Sequence, residues 1–247
     1  MGERREVVAC LGSSTTAGRG QAFDWIGELA ARPENVRYDF RNFGVGGDLA
    51  INALRRVPAV LACRPEKAIV IIGSNDILAT AFPLLRGVYR LTKQVREPPG
   101  AERFAAHLTA IVRRLKAESG AEIALASLAA AGEAPQSTDP VQQRLNALYA
   151  DYRDIIRRVA SEEGTAYLPF YEAMRAAVSA EPGQAFRRFQ PLRLYRDTFR
   201  FFVLRRSGEE IARQNGWRFH VDGIHLNRRG GMILAGLVQV FLDGLPG

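Results

Sequence analysis

A serine, a histidine three residues after an aspartate, and glycines and asparagines that follow apolar runs stand out in this 247-residue chain. They lie in four short blocks. The first is Gly12-Ser13-Ser14-Thr15-Thr16-Ala17-Gly18, directly after an apolar run. The second is Asn42-Phe43-Gly44-Val45-Gly46-Gly47-Asp48 and the third Gly73-Ser74-Asn75-Asp76, again after an apolar run. The fourth is Asp222-Gly223-Ile224-His225, near the C-terminus. A hydroxyl is a poor nucleophile until a base removes its proton as it attacks. The oxyanion that forms needs donors already aimed at it. Together the blocks hold a nucleophile, a base, a carboxylate to orient the base, and oxyanion donors, which is the parts list of acyl transfer.

Each block alone also fits a simpler role. A Ser/Thr-rich turn can cap a helix, adjacent glycines can make a tight turn, Asn75-Asp76 can end a strand, and Asp222 can form a turn before Gly223. Asp76 is read as a loop support with no catalytic role. Of the three histidines, His107 falls on an amphipathic helix and reads as surface, and His220 has no partner at a useful spacing. His225 differs because a turn from Asp222 can set a carboxylate against the imidazole, fixing its tautomer and stabilising the imidazolium. Gly47 is a position where backbone can approach substrate without a Cβ in the way.

In order and content the four blocks resemble the SGNH hydrolases of the GDSL lipase/acylhydrolase superfamily, and the resemblance runs from Val7 to Leu242. It implies Ser14 as nucleophile, because Ser14-x-Thr16-x-Gly18 has the family's spacing and Ser13 does not. It implies His225 as base with Asp222 behind it. The Ser14 and Gly47 backbone N–H groups and the Asn75 side-chain amide would form the oxyanion hole, with no cofactor. Two positions depart from the family pattern: Ser13 stands where an Asp is usual, and Gly46 where a Ser is usual. Both bear on loop rigidity and substrate preference more than on reaction class.

The elements that must position these residues are legible in the hydrophobic pattern. Val7–Leu11, Arg37–Phe43, Ala68–Ile72, Ile123–Leu128 and Ala166–Pro169 read as strands. Asp48–Cys63 reads as a helix bent or interrupted at Pro58. Phe104, Leu108, Ile111, Val112 and Leu115 mark an amphipathic helix, and Val141–Glu163 a long one. Asn227 reads as the N-cap of a C-terminal helix carrying Met232, Ile233, Leu237, Val240 and Phe241. Strands alternating with helices predict an α/β fold with a parallel sheet covered on both faces. The family resemblance implies a three-layer α/β/α sandwich of about five strands in the flavodoxin-like order 2-1-3-4-5. In such sheets ligands sit beyond the carboxyl ends of the strands. Ser14, Gly47 and Asn75 each follow a strand, so three segments deliver polar residues to one edge.

The composition, 47% hydrophobic over 247 residues, fits one domain spanning 1–247. No run is long enough to span a bilayer. Met1–Glu6 lacks the apolar segment of a secretory signal, so a cytoplasmic protein is expected. Cys10 and Cys63 have no metal or disulfide spacing and read as buried thiols. No cluster has metal-ligand spacing. Position 16 is Thr, which rules out a Gly-x-Ser-x-Gly elbow around Ser14. No Gly-Lys-Ser/Thr phosphate loop occurs, and no nucleic-acid-binding motif, so no nucleic-acid partner is expected.

The net charge of +8 is carried by arginine; Lys67, Lys93 and Lys116 are the only lysines. Stretch 181–219 interleaves aromatics with arginines. It reads either as a lid, with 186–206 a candidate surface for anionic lipid, or as a helical excursion with its aromatics on the core. Ser207 and Glu210 have capping-box spacing, which places a short helix there. The pocket should be shaped by 82–99 and 181–219. The expected activity is that of a serine esterase or lipase acting on a small-molecule acyl ester. The alternatives are a carbohydrate O-deacetylase or acyltransferase with the same residues, and a catalytically silent module that binds lipid or anions.

Overall fold

The computed structural model describes residues 4–18, 22–186 and 208–244. The arginine–aromatic stretch 187–206 and Ser207 lie outside the described residues, and with them most of the segment read as a lid.

Five strands form one parallel sheet: β1 (Glu6–Gly12), β2 (Tyr38–Gly44), β3 (Lys67–Ile71), β4 (Glu122–Ala126) and β5 (Ala166–Leu168), in the order β2-β1-β3-β4-β5. β1 is buried from Val8 to Gly12, as a central strand covered on both faces must be. The register sets Gly12 opposite both Gly44 and Ile71, so the first three strands end together.

The helices between the strands are α1 (Ser14–Ala17), α2 (Trp25–Ala30), α3 (Ala50–Leu61), α4 (Ser74–Ala81), α5 (Pro83–Thr92), α6 (Ala101–Ser119) and α7 (Pro140–Glu162). After β5 come α8 (Phe170–Ala180), α9 (Gly208–Asn215) and α10 (Arg228–Leu242). Helices α3, α6 and α7 pack side by side on one face of the sheet, and α2, α10 and α8 on the other. Trp25, Leu29, Leu11, Ile69, Phe104 and Ile111 are among the side chains that fill the two interfaces. This is the expected three-layer α/β/α sandwich.

Several boundaries differ from the expectation, each for a local reason. The helix expected from Asp48 begins at Ala50, because the Asp48 carbonyl accepts from Asn75 Nδ2 instead of a helical N–H and Leu49 is the N-cap, its N–H donating to Asn52 Oδ1. It runs through Pro58 uninterrupted, with the Pro58 carbonyl accepting the Ala62 N–H. β5 stops at Leu168 because Pro169 has no N–H for the ladder and serves as the N-cap of α8. Helices α4, α5 and α8 were not legible in the pattern; α4 buries most of its residues and so shows no polar face. α9 lies where the Ser207/Glu210 spacing placed a helix, and Asn227 caps α10 by accepting the Gly230 N–H at 3.2 Å. Cys10 is buried, whereas Cys63 is only half-buried. No described helix is long and apolar enough to cross a membrane.

Candidate active site

Ser14 sits where β1 turns into α1. Ser13 before it is buried and Ser14 is part-exposed, which separates the two rival hydroxyls by access alone. The turn is braced from three sides. Trp25 Nε1 donates to Thr15 O at 3.0 Å, Asn42 Nδ2 donates to Thr16 O at 2.9 Å, and Val45 N donates to Gly12 O at 3.1 Å. A Cβ on Gly44 would stand 2.1 Å from the Ala17 nitrogen, so only glycine lets the second block lie against the first. As the first residue of α1, Ser14 has a backbone N–H that the helix does not use.

The fourth block meets Ser14 from across the chain. His225 Nε2 lies 3.0 Å from Ser14 Oγ, and His225 Nδ1 lies 2.7 Å from Asp222 Oδ2. Asp222 uses its other oxygen on its own turn, with Oδ1 accepting the N–H of Ile224 at 3.0 Å and of His225 at 2.9 Å. Burial opposes charge on Asp222. The facing His225 and the hydrogen bonds from His225 and Ile224 outweigh it and hold the carboxyl below its ordinary range. Burial likewise disfavours the imidazolium of His225, but the charge and hydrogen bond of Asp222 win and raise its pKa above the usual 6.5.

The glycine and asparagine blocks converge on the same edge. Gly47 has φ +77°, a conformation that L side chains rarely adopt, so the turn needs glycine. Among the described residues its backbone N–H has no hydrogen-bond acceptor. Asn75 is buried; one amide hydrogen goes to Asp48 O at 2.8 Å, and a second remains on the same nitrogen. Asp76, read as a loop support, accepts the Ala50 N–H at 3.0 Å, and burial pushes its carboxyl up to about 7.

Several residues that no motif marked hold these blocks together. Tyr89 on α5 donates its hydroxyl to Asn75 Oδ1 at 2.8 Å. One turn on, Lys93 Nζ donates to Gly46 O at 2.5 Å and to Asp48 Oδ1 at 2.9 Å. Arg56 reaches Asp48 Oδ2 at 2.8 Å, Phe43 O at 2.5 Å and Gly12 O at 3.0 Å, tying the first two blocks. Their only sequence signal is the i, i+4 spacing of Tyr89 and Lys93 on a helix that the pattern did not reveal.

The reading of His220 is corrected: it has a partner. Glu133, in the loop after β4, lies 87 positions earlier in the sequence, and its Oε1 is 2.9 Å from His220 Nδ1. Both side chains are buried. Glu133 also accepts the backbone N–H groups of Arg218, Phe219 and His220 at 2.8, 2.7 and 2.9 Å. His107 is half-buried against the loop 95–99, not simply on the surface. Among the described residues, no group of three or more His, Cys, Asp or Glu side chains could hold a metal ion.

Known proteins align with this arrangement. The model of the GDSL-like Lipase/Acylhydrolase family matches residues 10–231. No curated protein sequence matches the chain. Solved structures with the same fold include the acetyl xylan esterase AlAXEase, 17% identical, covering 96% of this chain and 99% of that one at a TM-score of 0.62. An acetylxylan esterase from Geobacillus stearothermophilus is 16% identical, with 100% and 98% covered and a TM-score of 0.64. LAE5, an alpha/beta hydrolase enzyme from the metagenome of Lake Arreo, is 18% identical, with 100% and 99% covered and a TM-score of 0.65. Those identities carry the fold, while the family match spans both Ser14 and His225, and on it the chain belongs to the GDSL-like lipase/acylhydrolase family and is a hydrolase of carboxylic esters.

Proposed function

We propose that the ester is cleaved through an acyl-enzyme on Ser14. The observation that carries this reading is the unbroken relay from Ser14 Oγ to His225 Nε2 and from His225 Nδ1 to Asp222. Neutral His225 keeps its proton on Nδ1 and donates a hydrogen bond from it to Asp222, which leaves the Nε2 lone pair facing the hydroxyl. Ser14 Oγ attacks the acyl carbon as its proton passes to Nε2. The carbonyl oxygen becomes an oxyanion held by the Ser14 and Gly47 N–H groups and by the free amide hydrogen of Asn75. His225 then returns the proton to the departing alcohol. Water, deprotonated by the same nitrogen, attacks the acyl carbon; the bond to Ser14 Oγ breaks, His225 returns the proton to Oγ, and the acid leaves.

For the substrate class we infer short acyl esters of carbohydrate, and acetyl esters first. The support is that two structures sharing this fold over their whole length are acetylxylan esterases. A lipase-like preference for long acyl chains is the competing reading.

Hydrolysis of p-nitrophenyl esters from acetyl to long acyl, by wild type and Ser14→Ala, tests both parts. Loss of at least about a thousandfold in kcat is expected for Ser14→Ala, with acetyl the best acyl group. Activity surviving unchanged in Ser14→Ala would sink the nucleophile assignment, and a long-chain optimum would sink the acetyl reading.

A further inference from the structure

An open groove, walled by Leu49, lies between the start of α3, α5 and the start of α6. It consists of two adjoining cavities of about 260 and 240 Å³, both walled by Leu49 and by 95–99. The floor is apolar, with Leu49, Val95, Pro98 and Pro99. The rim is basic: Arg55 and Arg96 border one cavity, and Arg86, Arg90 and Arg96 the other.

Among the described residues these arginines differ from the eleven that face a carboxylate. Arg41, Arg113, Arg114 and Arg153 each face a carboxylate within 3 Å. Among the described residues the side chains of Arg55, Arg86, Arg90 and Arg96 have no hydrogen bond or ion pair. The acids at the groove do little to balance them. Glu97 is engaged by Arg103 at 2.8 Å, and Asp76 is buried with its carboxyl raised to about 7. His107 at one end titrates low. Burial is the main cause, and Arg103 and Arg55 add to it against the pull of Glu97. Uncompensated positive charge on a concave, partly apolar surface draws an anion and raises its local concentration.

Three walls of the groove are bonded to the oxyanion blocks. Tyr89 donates to Asn75, Leu49 follows Asp48, whose carbonyl holds Asn75, and Asp76 follows Asn75 in sequence. Arg86 and Arg90 are one helical turn apart, and Arg55 and Arg96 lie on other segments, so the charges are strung along the groove rather than gathered at a point. An elongated ligand with several separated negative charges fits that layout. Single-stranded nucleic acid fits less well, because among the described residues Tyr89 is the only Phe, Tyr or Trp in the lining and its hydroxyl is committed to Asn75.

We propose that this groove binds the carboxylate-bearing part of an acidic oligosaccharide, so that the enzyme removes acyl groups from uronate-containing glycans in preference to neutral ones. The inference rests on the carbohydrate-ester reading above. Calorimetric titration of Ser14→Ala protein with oligogalacturonate and with a neutral xylooligosaccharide of equal length tests it. The same titrations are run on Ser14→Ala carrying Arg55→Gln and Arg96→Gln, at low and at physiological ionic strength.

Oligogalacturonate is expected to bind at least about tenfold more tightly than the neutral oligomer, to lose that advantage in the arginine variant, and to weaken with salt. In the enzyme with Ser14 intact, the ratio of kcat/KM for acetylated uronate oligomers to that for acetylated xylooligomers should fall about tenfold in the arginine variant. Equal binding of the two oligomers, or uronate binding indifferent to the arginines, would overturn the proposal. So would tighter binding of a single-stranded oligonucleotide, or of inorganic phosphate alone. Binding is read without turnover, so a wrong nucleophile and an empty groove give different results: activity retained in Ser14→Ala would remove the nucleophile assignment and leave the groove proposal standing.

Discussion

Glu133 and His220 form a buried pair, with Oε1 of the glutamate 2.9 Å from Nδ1 of the histidine. The same carboxylate accepts three successive backbone N–H groups, those of Arg218, Phe219 and His220. That segment leads into a hairpin in which Val221 N donates to His225 O at 2.7 Å and Asn227 N donates to Phe219 O at 3.1 Å. Asp222 and His225 are therefore presented by a turn whose base is clamped to the loop after β4. Burial opposes charge on Glu133, but the His220 bond and the backbone donors prevail and keep it ionised well into the acid range.

Removing the clamp should loosen the turn and the fold together. Glu133→Ala leaves two buried N–H groups and a part-buried one without an acceptor and a buried imidazole without its partner, at a cost of about 3–5 kcal/mol. For a chain of this size each kcal/mol is about 2–4 °C in Tm, so a drop of about 10 °C is expected in a thermal melt. Measured well below that melt, kcat should also fall. An unchanged Tm would show that the clamp carries no stability.

The relay predicts a pH profile with a definite sign. In the proposed mechanism His225 accepts the Ser14 proton only when neutral, and Asp222 raises its pKa above 6.5. Activity should therefore fall as pH drops through that raised value, placing the acid limb of kcat/KM above the usual imidazole range. Asp222→Asn removes the charge that favours imidazolium, so the limb should move to lower pH while kcat falls by about a hundredfold or more. A limb that stays in place in Asp222→Asn contradicts the assignment of the titrating group to His225.

In the proposed mechanism Tyr89 positions the oxyanion donor Asn75. Its hydroxyl holds Asn75 Oδ1, which sets which end of the amide faces Asp48 and leaves an N–H for the substrate. Tyr89→Phe should lower kcat about tenfold, the scale of one hydrogen bond, with little change in KM, because the donor matters most once charge has developed. Steady-state kinetics on p-nitrophenyl acetate separates the two constants; a change confined to KM would instead assign Tyr89 to substrate binding.

Asp76 makes stability depend on pH in the less common direction. Its carboxyl titrates near 7 when folded, because burial disfavours the anion, and near 3.8 when unfolded. Between those values the folded chain binds the extra proton, so this contribution is present in acid and is lost as pH rises through about 7. Asp76→Asn keeps an oxygen for the Ala50 N–H without the buried charge. It should melt above wild type by several degrees more at pH about 8 than at pH about 5, because the loss builds up from the unfolded value of 3.8 to the folded value of about 7. A gain of equal size at both values would point away from Asp76 ionisation.

The fold class and the position of the site at one sheet edge were legible in the sequence because each depends on local chemistry. Short apolar runs ending at Gly12 and Gly73 read as buried strands followed by turns, the alternating Arg37–Phe43 before Gly44 reads as another strand, and Ser14, Gly47 and Asn75 follow them. Asp222 and His225 are three residues apart, so one turn brings them within 2.7 Å and the sequence spacing already contains the contact. The approach of His225 to Ser14, 211 positions earlier, is a product of the tertiary fold alone. So are the Glu133 clamp and the engagement of Tyr89 and Lys93 with the second and third blocks. A carboxylate and an imidazole 87 positions apart leave no periodic trace, since their meeting depends on how β4, α7 and the C-terminal hairpin pack. Helix α5 escaped for a related reason: among its residues only Leu85 is buried, and its use lies in the two side chains it hands to a neighbouring loop. Local periodicity determined which segments form strands and which residues can do chemistry; close packing of distant segments decided which of those residues touch.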